Sequence, residues 1–180
     1  MLPQLDGMEC VLGLDSGTST GYAVLTSTGE TLALGALDFS KSSRYVRWTA
    51  MRQALGILLD QYTPTLTVIE GYGYGNAFSL ATLVEYGTVL RLLLLDRSIP
   101  FVEIPPLTLK AFITKGTAKK DEMRLRAYQL WGVEHASHDA VDAYVAAQLA
   151  RAILGMASRT AAQTKLLNKC YAATPHMVSC

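Results

Sequence analysis

The chain has 180 residues, of which 50% are hydrophobic and 17% are charged. This length fits one domain that buries a core without cross-links, and the composition excludes a disordered or fibrous chain. The net charge of +1 gives no global indication of a nucleic-acid partner. The longest apolar stretch, around Leu92 to Leu95, is too short to cross a bilayer, and the first ten residues lack the pattern of a signal peptide. We therefore expect a cytoplasmic protein with no membrane partner.

Three antiparallel strands are predicted at the start of the chain. Cys10 to Asp15 is a short apolar run that ends in an acid, and alternation around Tyr22 and Val24 predicts a second strand. A Ser/Thr/Gly turn separates it from another alternating run, Thr31 to Phe39. The pattern predicts a meander that forms one half of a sheet.

Helices and strands then alternate. Apolar residues at helical spacing predict a helix over Arg44 to Tyr62, which ends before Pro64, and a strand follows at Leu66 to Glu70. Phe78 to Arg97 predicts a long helix and Phe101 to Ile104 a short strand. The long helix is apolar nearly all round, so it is either deeply buried or part of a dimer interface.

Helices are predicted over Leu107 to Thr114, Lys119 to Leu130 and Ser137 to Leu154. The last helix has alanines at helical spacing, which would let it lie close on the sheet: Ala140, Ala143, Ala147 and Ala150. After Gly155 the sequence has no clear period, so we expect one domain over residues 1–155 and a loosely ordered tail over residues 156–180. The element order predicts an α/β fold: a mixed five-stranded sheet with helices on both faces.

Four acids follow predicted strands or begin a predicted helix. Asp15 and Glu70 end apolar strands, while Asp139 and Asp142 lie one turn apart at the start of the last helix. Each has a simple separate explanation as a turn residue, a strand leaving the core, or a helix-dipole partner. Together they predict an oxygen-rich site for Mg²⁺ or Mn²⁺, in which two ions could hydrolyse a phosphodiester.

A basic segment precedes the last helix. Between Lys110 and Arg126 there are six cations against Asp121 and Glu122. This segment is a candidate phosphate-binding surface, although a solvated helix face with paired charges would have the same composition.

Four segments together resemble the motif blocks of the RuvC-type Holliday junction resolvases. They are LGLDSGTSTGYAVL, VIEGYGYGNAFSLATLVEYG, GTAKKDE and SHDAVDAYVAAQLA, in this order between Val11 and Leu154. The resemblance implies a ribonuclease-H-like fold and a Mg²⁺-dependent endonuclease, with Mn²⁺ able to substitute, that acts in DNA recombination and repair. It also implies a homodimer that presents two sites to a four-way DNA junction and nicks opposed strands, leaving 5′-phosphate ends.

The resemblance assigns roles to individual residues. Asp15, Glu70, Asp139 and Asp142 match the family's acidic quartet, and Lys120 matches the basic residue beside the scissile phosphate. Lys119 is an alternative to Lys120. The family's aromatic wedge corresponds to Tyr72 or Tyr74, which could stack on a junction base or pack on the domain. Lys110 and Lys115 could hold flanking phosphates or be ordinary surface lysines.

Other classes of protein fit part of the pattern. LGLDSGTST also resembles the first phosphate loop of sugar kinases and actin-like ATPases, but those proteins need two such domains and this chain supplies one. A related nuclease acting on flaps, forks or RNA–DNA hybrids would keep the same metal site. A non-catalytic module that binds branched DNA is the alternative outside enzymes, and it predicts junction binding that is indifferent to Asp15→Asn.

Overall fold

A computed structural model describes residues 9–73 and 77–173, and a five-stranded sheet forms its centre. The strand order is β3-β2-β1-β4-β5, with β1 antiparallel to β2, β2 antiparallel to β3, and β4 parallel to both β1 and β5. The strands are β1 (Cys10–Asp15), β2 (Ser19–Thr26), β3 (Thr31–Asp38), β4 (Leu66–Glu70) and β5 (Phe101–Ile104). Because β1, β3, β4 and β5 run in one direction, their C-terminal ends meet at one edge of the sheet.

Helices cover both faces of this sheet, as predicted. One face packs on α1 (Arg44–Tyr62) and α2 (Ala77–Asp96), and the other packs chiefly on α5 (His138–Ile153). The remaining helices, which lie on the α5 side, are α3 (Pro106–Ile113), α4 (Lys120–Trp131) and α6 (Ala161–Ala173). The predicted ends of α1 to α5 agree with these bounds to within one residue.

Alternation along β1 decides which residues face which helix layer. Leu12 and Leu14 belong to the core shared with α1 and α2, whereas Val11 belongs to the core shared with α5. Gly13 lies on the α5 side, where an added Cβ would lie 2.0 Å from the carbonyl oxygen of Ala143. The period of two therefore directs Asp15 toward α5 as well.

Small residues allow α5 to lie directly on β1 and β2. An added Cβ at Gly21 would lie 1.9 Å from the carbonyl oxygen of Asp139. The helix contributes a matching row of fully buried alanines, among them Ala140, Ala143 and Ala147. The alanine row was predicted from the sequence, but its glycine counterpart on the strands was not. Close contact between helix and sheet sets the height of the α5 side chains above the strand ends.

Helix α6 was not predicted from the sequence, and it lies in the segment that was expected to be loosely ordered. Its start has a reciprocal cap: the Gln163 backbone amide donates to Thr160 Oγ1 at 3.2 Å, and the Thr160 amide donates to Gln163 Oε1 at 2.9 Å. Leu167 is buried, and the Gln163 side-chain amide donates to the Phe112 carbonyl at 2.9 Å. A Thr-Ala-Ala-Gln sequence was the available signal. The domain division near Gly155 stays a prediction.

Helix α2 is buried on one side only, so the prediction that it is deeply buried is wrong and the dimer interface stays a prediction. Tyr86, Leu90 and Leu93 lie in the core. Val84, Leu92 and Leu95 are 42%, 50% and 42% exposed, and they form an apolar stripe on the opposite side. Among the helices described, none has the length and apolar character required to span a bilayer.

Candidate metal centre

Two of the predicted acids are direct neighbours in the sheet. Asp15 at the end of β1 pairs with Glu70 at the end of β4 in the parallel register. Both continue the series of side chains that faces α5, which includes Val11 on β1 and Leu66 and Val68 on β4. The topology alone therefore brings two carboxylates to the same face and the same edge.

A third carboxylate reaches this position from α5. Asp15, Glu70 and Asp142 each offer one oxygen, and these three oxygens lie within 4.8 Å of one another. Asp142 lies in the first two turns of α5, above the strand ends, and its side chain is 14% exposed. Three of the four predicted carboxylates, from three separate elements, thus meet at one point.

Asp139 lies beside this group. Its Oδ1 is 3.5 Å from Lys120 Nζ, and its side chain is 25% exposed. Among the described residues, the possible ligands whose oxygens lie close together are Asp15, Glu70 and Asp142. Asp139 does not belong to this group. The predicted fourth acid therefore borders the centre and pairs with the lysine.

The start of α5 is held by a short network in the preceding loop. Ser137 caps the helix by accepting from the Ala140 amide at 3.4 Å. His135 Nδ1 accepts from the Ser137 amide at 3.0 Å, and Arg124 Nη2 donates to the His135 carbonyl at 3.1 Å. No role for His135 could be predicted from the sequence, because a loop histidine has no pattern that reveals its backbone partner. This network fixes the start of α5 and therefore the positions of Asp139 and Asp142.

Burial and mutual repulsion disfavour the charged forms of the acids. Burial raises the pKa of Asp15 well above its ordinary value of 3.8, and the charge of Glu70 raises it further. Burial also raises the pKa of Glu70 from 4.5 to about 7, with a contribution from Asp142. The pKa of Asp142 is raised by burial too, and Lys120 opposes that increase. The centre requires positive charge to hold all its carboxylates ionised.

Lys120, the first residue of α4, supplies part of that charge. Its Nζ lies 3.5 Å from Asp139 Oδ1 and 4.0 Å from Asp142 Oδ2, while its side chain is 55% exposed. Partial burial lowers the pKa of Lys120, but the negative charges of Asp142 and Asp139 together raise it by more, so the pKa is raised overall. One ammonium group faces several acids, so the local charge stays negative.

The donor set suits a hard divalent cation. All three close ligands are carboxylate oxygens, and no thiol or imidazole belongs to the group found among the described residues. Oxygen ligands favour magnesium, manganese or calcium over zinc. A divalent ion would also reverse the repulsion that raises the pKa values of Asp15 and Glu70. The geometry and the electrostatics therefore both fit a divalent metal.

The other predicted site residues lie at different distances from this centre. The charge of Lys110 lowers the pKa values of Glu70 and Asp142, which places it near the acids. Lys115 and Lys119 are exposed on the turn between α3 and α4. His138 Nε2 is 4.0 Å from Asp121 Oδ1.

The structure describes only one of the two candidate wedge tyrosines. Tyr72 packs against α2, where its hydroxyl lies 2.5 Å from Arg91 Nη1. Tyr74 lies outside the described residues, so the structure gives no account of it.

Comparison with known proteins identifies relatives over most of the chain. The family described as "Crossover junction endodeoxyribonuclease RuvC" matches residues 11–153. A protein of that name from Bacteroides fragilis is 32% identical in an alignment of 122 residues; the match covers 64% of this chain and 65% of that protein, slightly under two thirds of its length. One from Helicobacter pylori strain Shi470 is 29% identical in an alignment of 129 residues; the match covers 68% of this chain and 82% of that protein.

Solved structures share the fold. "T. thermophilus RuvC in complex with Holliday junction substrate" matches with a TM-score of 0.71 at 18% identity, over 84% of this chain and 99% of that chain. "Crystal structure of Fowlpox virus resolvase and substrate Holliday junction DNA complex" matches with a TM-score of 0.56 at 10% identity, over 79% of this chain and 99% of that chain. The sheet and helices described above are thus the ribonuclease-H-like arrangement of these nucleases, as predicted.

Proposed function

The chain belongs to the RuvC family of crossover junction endodeoxyribonucleases, and on that premise we propose that it resolves four-way DNA junctions by metal-dependent hydrolysis. The observation that carries this proposal is the meeting of Asp15, Glu70 and Asp142 within 4.8 Å. Such a centre, open at one edge of a sheet, suits phosphodiester cleavage. Recombination and repair are the processes in which this activity would be used.

Mg²⁺ is the proposed metal, with Mn²⁺ able to substitute and two ions in each centre. When bound, the ions supply an activated water and stabilise the leaving oxygen. Asp15 is the proposed bridging ligand because it pairs with Glu70 on one side and approaches Asp142 on the other. Asp139 would complete the quartet after a small movement toward the ions.

Lys120 is the proposed partner of the scissile phosphate. Its ammonium group lies between Asp139 and Asp142, and more than half of its side chain is exposed. A phosphate that reaches the acids would therefore also reach this cation, which stabilises the charge that develops in the transition state. Lys119, exposed next to it, is the alternative.

The proposed substrate is a branched DNA whose arms cross the metal edge. Lys110 and Lys115 would contact flanking phosphates, and a tyrosine of the loop after β4, Tyr72 or Tyr74, would stack on a base at the branch point. The products would carry 5′-phosphate ends. We place this reaction in the cytoplasm of a bacterial or phage-infected cell.

Paired nicking requires two centres, and we propose a homodimer formed through α2. Its exposed apolar stripe, Val84, Leu92 and Leu95, recurs at helical spacing and would be covered by a second copy. Leu92→Glu should convert the dimer to a monomer when mass is measured by light scattering during gel filtration. A monomeric parent protein would contradict this assembly.

Cleavage of a labelled four-way junction in the presence of Mg²⁺ or Mn²⁺ tests the activity. Asp142→Asn should abolish cutting, because the amide cannot replace the ligand charge, while junction binding stays largely intact since phosphate contacts supply most affinity. Asp38→Asn is the matched control: this acid ends β3 at the same edge but lies outside the ligand group. Equal loss in both variants would contradict the assignment.

A substrate panel separates the related functions. A flap, a fork, an RNA–DNA hybrid and plain duplex should each be cut far more slowly than the four-way junction. Preference for the hybrid or the flap would move the protein to a relative with the same metal site. Junction binding without any cutting by the parent protein would identify a non-catalytic module.

A further inference from the structure

We propose that Arg91 is a positioning residue that fixes the backbone directly after Glu70 and so sets the metal affinity of the centre. This inference rests on the proposed function, because Glu70 matters as a metal ligand there. Arg91 lies on α2, far along the chain from the acids, so no sequence motif pointed to it. Its role follows from the three elements that it joins.

Arg91 is bonded to the edge strand of the sheet. Its Nε lies 2.5 Å from Glu103 Oε1, and its Nη2 lies 2.6 Å from Glu103 Oε2, which is a two-point contact between planar groups. Glu103 is on β5, where it pairs with Ile69, the residue before Glu70. The guanidinium group is therefore anchored beside the strand that carries the metal ligand.

The third side of the same guanidinium group holds Tyr72. Arg91 Nη1 lies 2.5 Å from the Tyr72 hydroxyl, and the guanidinium carbon lies 5.0 Å from the centre of the tyrosine ring. Gly87, one turn earlier on α2, provides the space, because an added Cβ would lie 2.1 Å from the Tyr72 hydroxyl oxygen. Glycine is unfavourable inside a helix relative to alanine, so this fit lowers the stability of α2.

The backbone between Glu70 and Tyr72 is held as well. The Gly71 amide donates to the Ile104 carbonyl at 2.8 Å, and Ile104 pairs with Glu70 across the sheet. Glu70 is thus followed by two consecutive attachments, one to β5 and one through Arg91 to α2. A loop that is free from Gly71 onward would let the Glu70 backbone fray at the strand end.

Arg91 differs from the other arginines that make ion pairs along α1 and α2. The Arg91 side chain is 20% exposed and contacts both a strand and a loop, whereas Arg52 and Asp96 are 57% and 49% exposed and join only two helices. Arg97 Nε lies 2.8 Å from Asp60 Oδ1, and that acid is 66% exposed. Exposed ion pairs contribute little to stability, so the loss of one is a suitable reference.

The position of Tyr72 follows from the same contacts. Its hydroxyl and one side of its ring are occupied by Arg91, and the hydroxyl also lies 3.5 Å from the Val84 carbonyl. These contacts anchor Tyr72 to α2, and a DNA base could stack only on the ring face opposite Arg91.

The test compares Arg91→Met with Arg97→Met in the full chain. Both variants remove one guanidinium group and one ion pair from the α2 region, but only Arg91 touches the segment after Glu70. Mn²⁺ binding without DNA is measured by calorimetry, and junction cleavage is measured across a Mg²⁺ series. We expect Arg91→Met to weaken Mn²⁺ binding and raise the half-saturating Mg²⁺ concentration by about 10- to 100-fold, the usual effect of losing an outer-shell partner. Arg97→Met should change neither quantity by more than twofold.

Tyr72→Phe keeps the ring and removes only the hydroxyl contact, so it covers the case in which Arg91→Met fails to fold. It should raise the half-saturating Mg²⁺ concentration by a smaller factor than Arg91→Met. Unchanged Mn²⁺ binding in both Arg91→Met and Tyr72→Phe would overturn the proposal. Because Mn²⁺ binding is measured without DNA, a parent protein that binds the ion but cuts no junction would refute the proposed function and leave this inference standing.

Discussion

Replacing Gly21 by alanine should separate the metal ligands without removing any of them. The added Cβ would lie 1.9 Å from the Asp139 carbonyl oxygen and 2.3 Å from its carbonyl carbon. Ordinary contact requires about 3.5 Å, so the start of α5 would have to move by roughly 1.5 Å away from the sheet. The atoms that the Cβ would meet belong to the main chain of α5, which cannot rotate aside as a flexible side chain would.

The expected effect on activity is larger than the effect on stability. Overpacking of this kind costs about 1–3 kcal/mol, which for a chain of this size lowers the melting temperature by roughly 2–12 °C. A misplacement of about 1 Å in a catalytic group costs roughly 100-fold in rate. Asp142 would move with α5, away from Asp15 and Glu70, whose oxygens now lie within 4.8 Å of its own. We therefore expect cleavage to fall by about 100-fold or more while the variant stays folded at 25 °C.

Single-turnover cleavage with excess enzyme and saturating metal is the assay, accompanied by thermal unfolding. Gly73→Ala is the control for stability, because an added Cβ there has no heavy atom within 4 Å among those described. Its melting temperature should match that of the parent protein. A Gly21→Ala protein with the parent's rate and melting temperature would show that α5 does not rest on Gly21 as described.

Three further outcomes are expected. Without divalent ions, the free energy of unfolding should fall as pH rises from 4.5 to 7, because burial raises the pKa of Glu70 to about 7 and the folded state keeps a proton that the unfolded chain releases. Glu70 should contribute at most about 3 kcal/mol of this fall in denaturant titrations, and the fall should be smaller in Glu70→Gln or with Mg²⁺ present; a flat profile would contradict it. Lys120→Met should lower the cleavage rate at saturating DNA by about 100-fold and leave Mn²⁺ binding intact, whereas lost Mn²⁺ binding would point to a structural role. Gln163→Ala should lower the melting temperature by a few degrees, since it removes one of the two bonds of the reciprocal cap of α6 and the bond to Phe112, and leave the cleavage rate unchanged.

Much of the fold could be predicted because strong local patterns agreed with one another. The acids Asp15 and Glu70 each end an apolar run, and parallel strands bring such ends to one edge. The alanine row of α5 indicated close packing on the sheet. Those three signals together placed Asp142 correctly, although the residues are far apart along the chain.

The remaining features depend on contacts that leave no periodic trace. Arg91 acquires its role from Glu103 and Tyr72, which come from a strand and a loop, and its spacing to neither is characteristic. The two leucines of helix α6, Leu166 and Leu167, are adjacent and give no helical period, so the cap at Thr160 was the stronger signal. Asp139 was grouped with Asp142 because both occupy one helix face, but its nearest charged partner is Lys120.

The parallel pairing of β1 with β4 limits how relatives of this chain can change in length. One residue inserted or deleted inside Leu66–Glu70 would turn the Glu70 carboxylate to the α1 and α2 side of the sheet, because side chains alternate between faces. A residue inserted after Tyr72 would leave that orientation unaltered. Insertions and deletions among relatives should therefore occur between Tyr72 and α2 and be absent from β1 and β4.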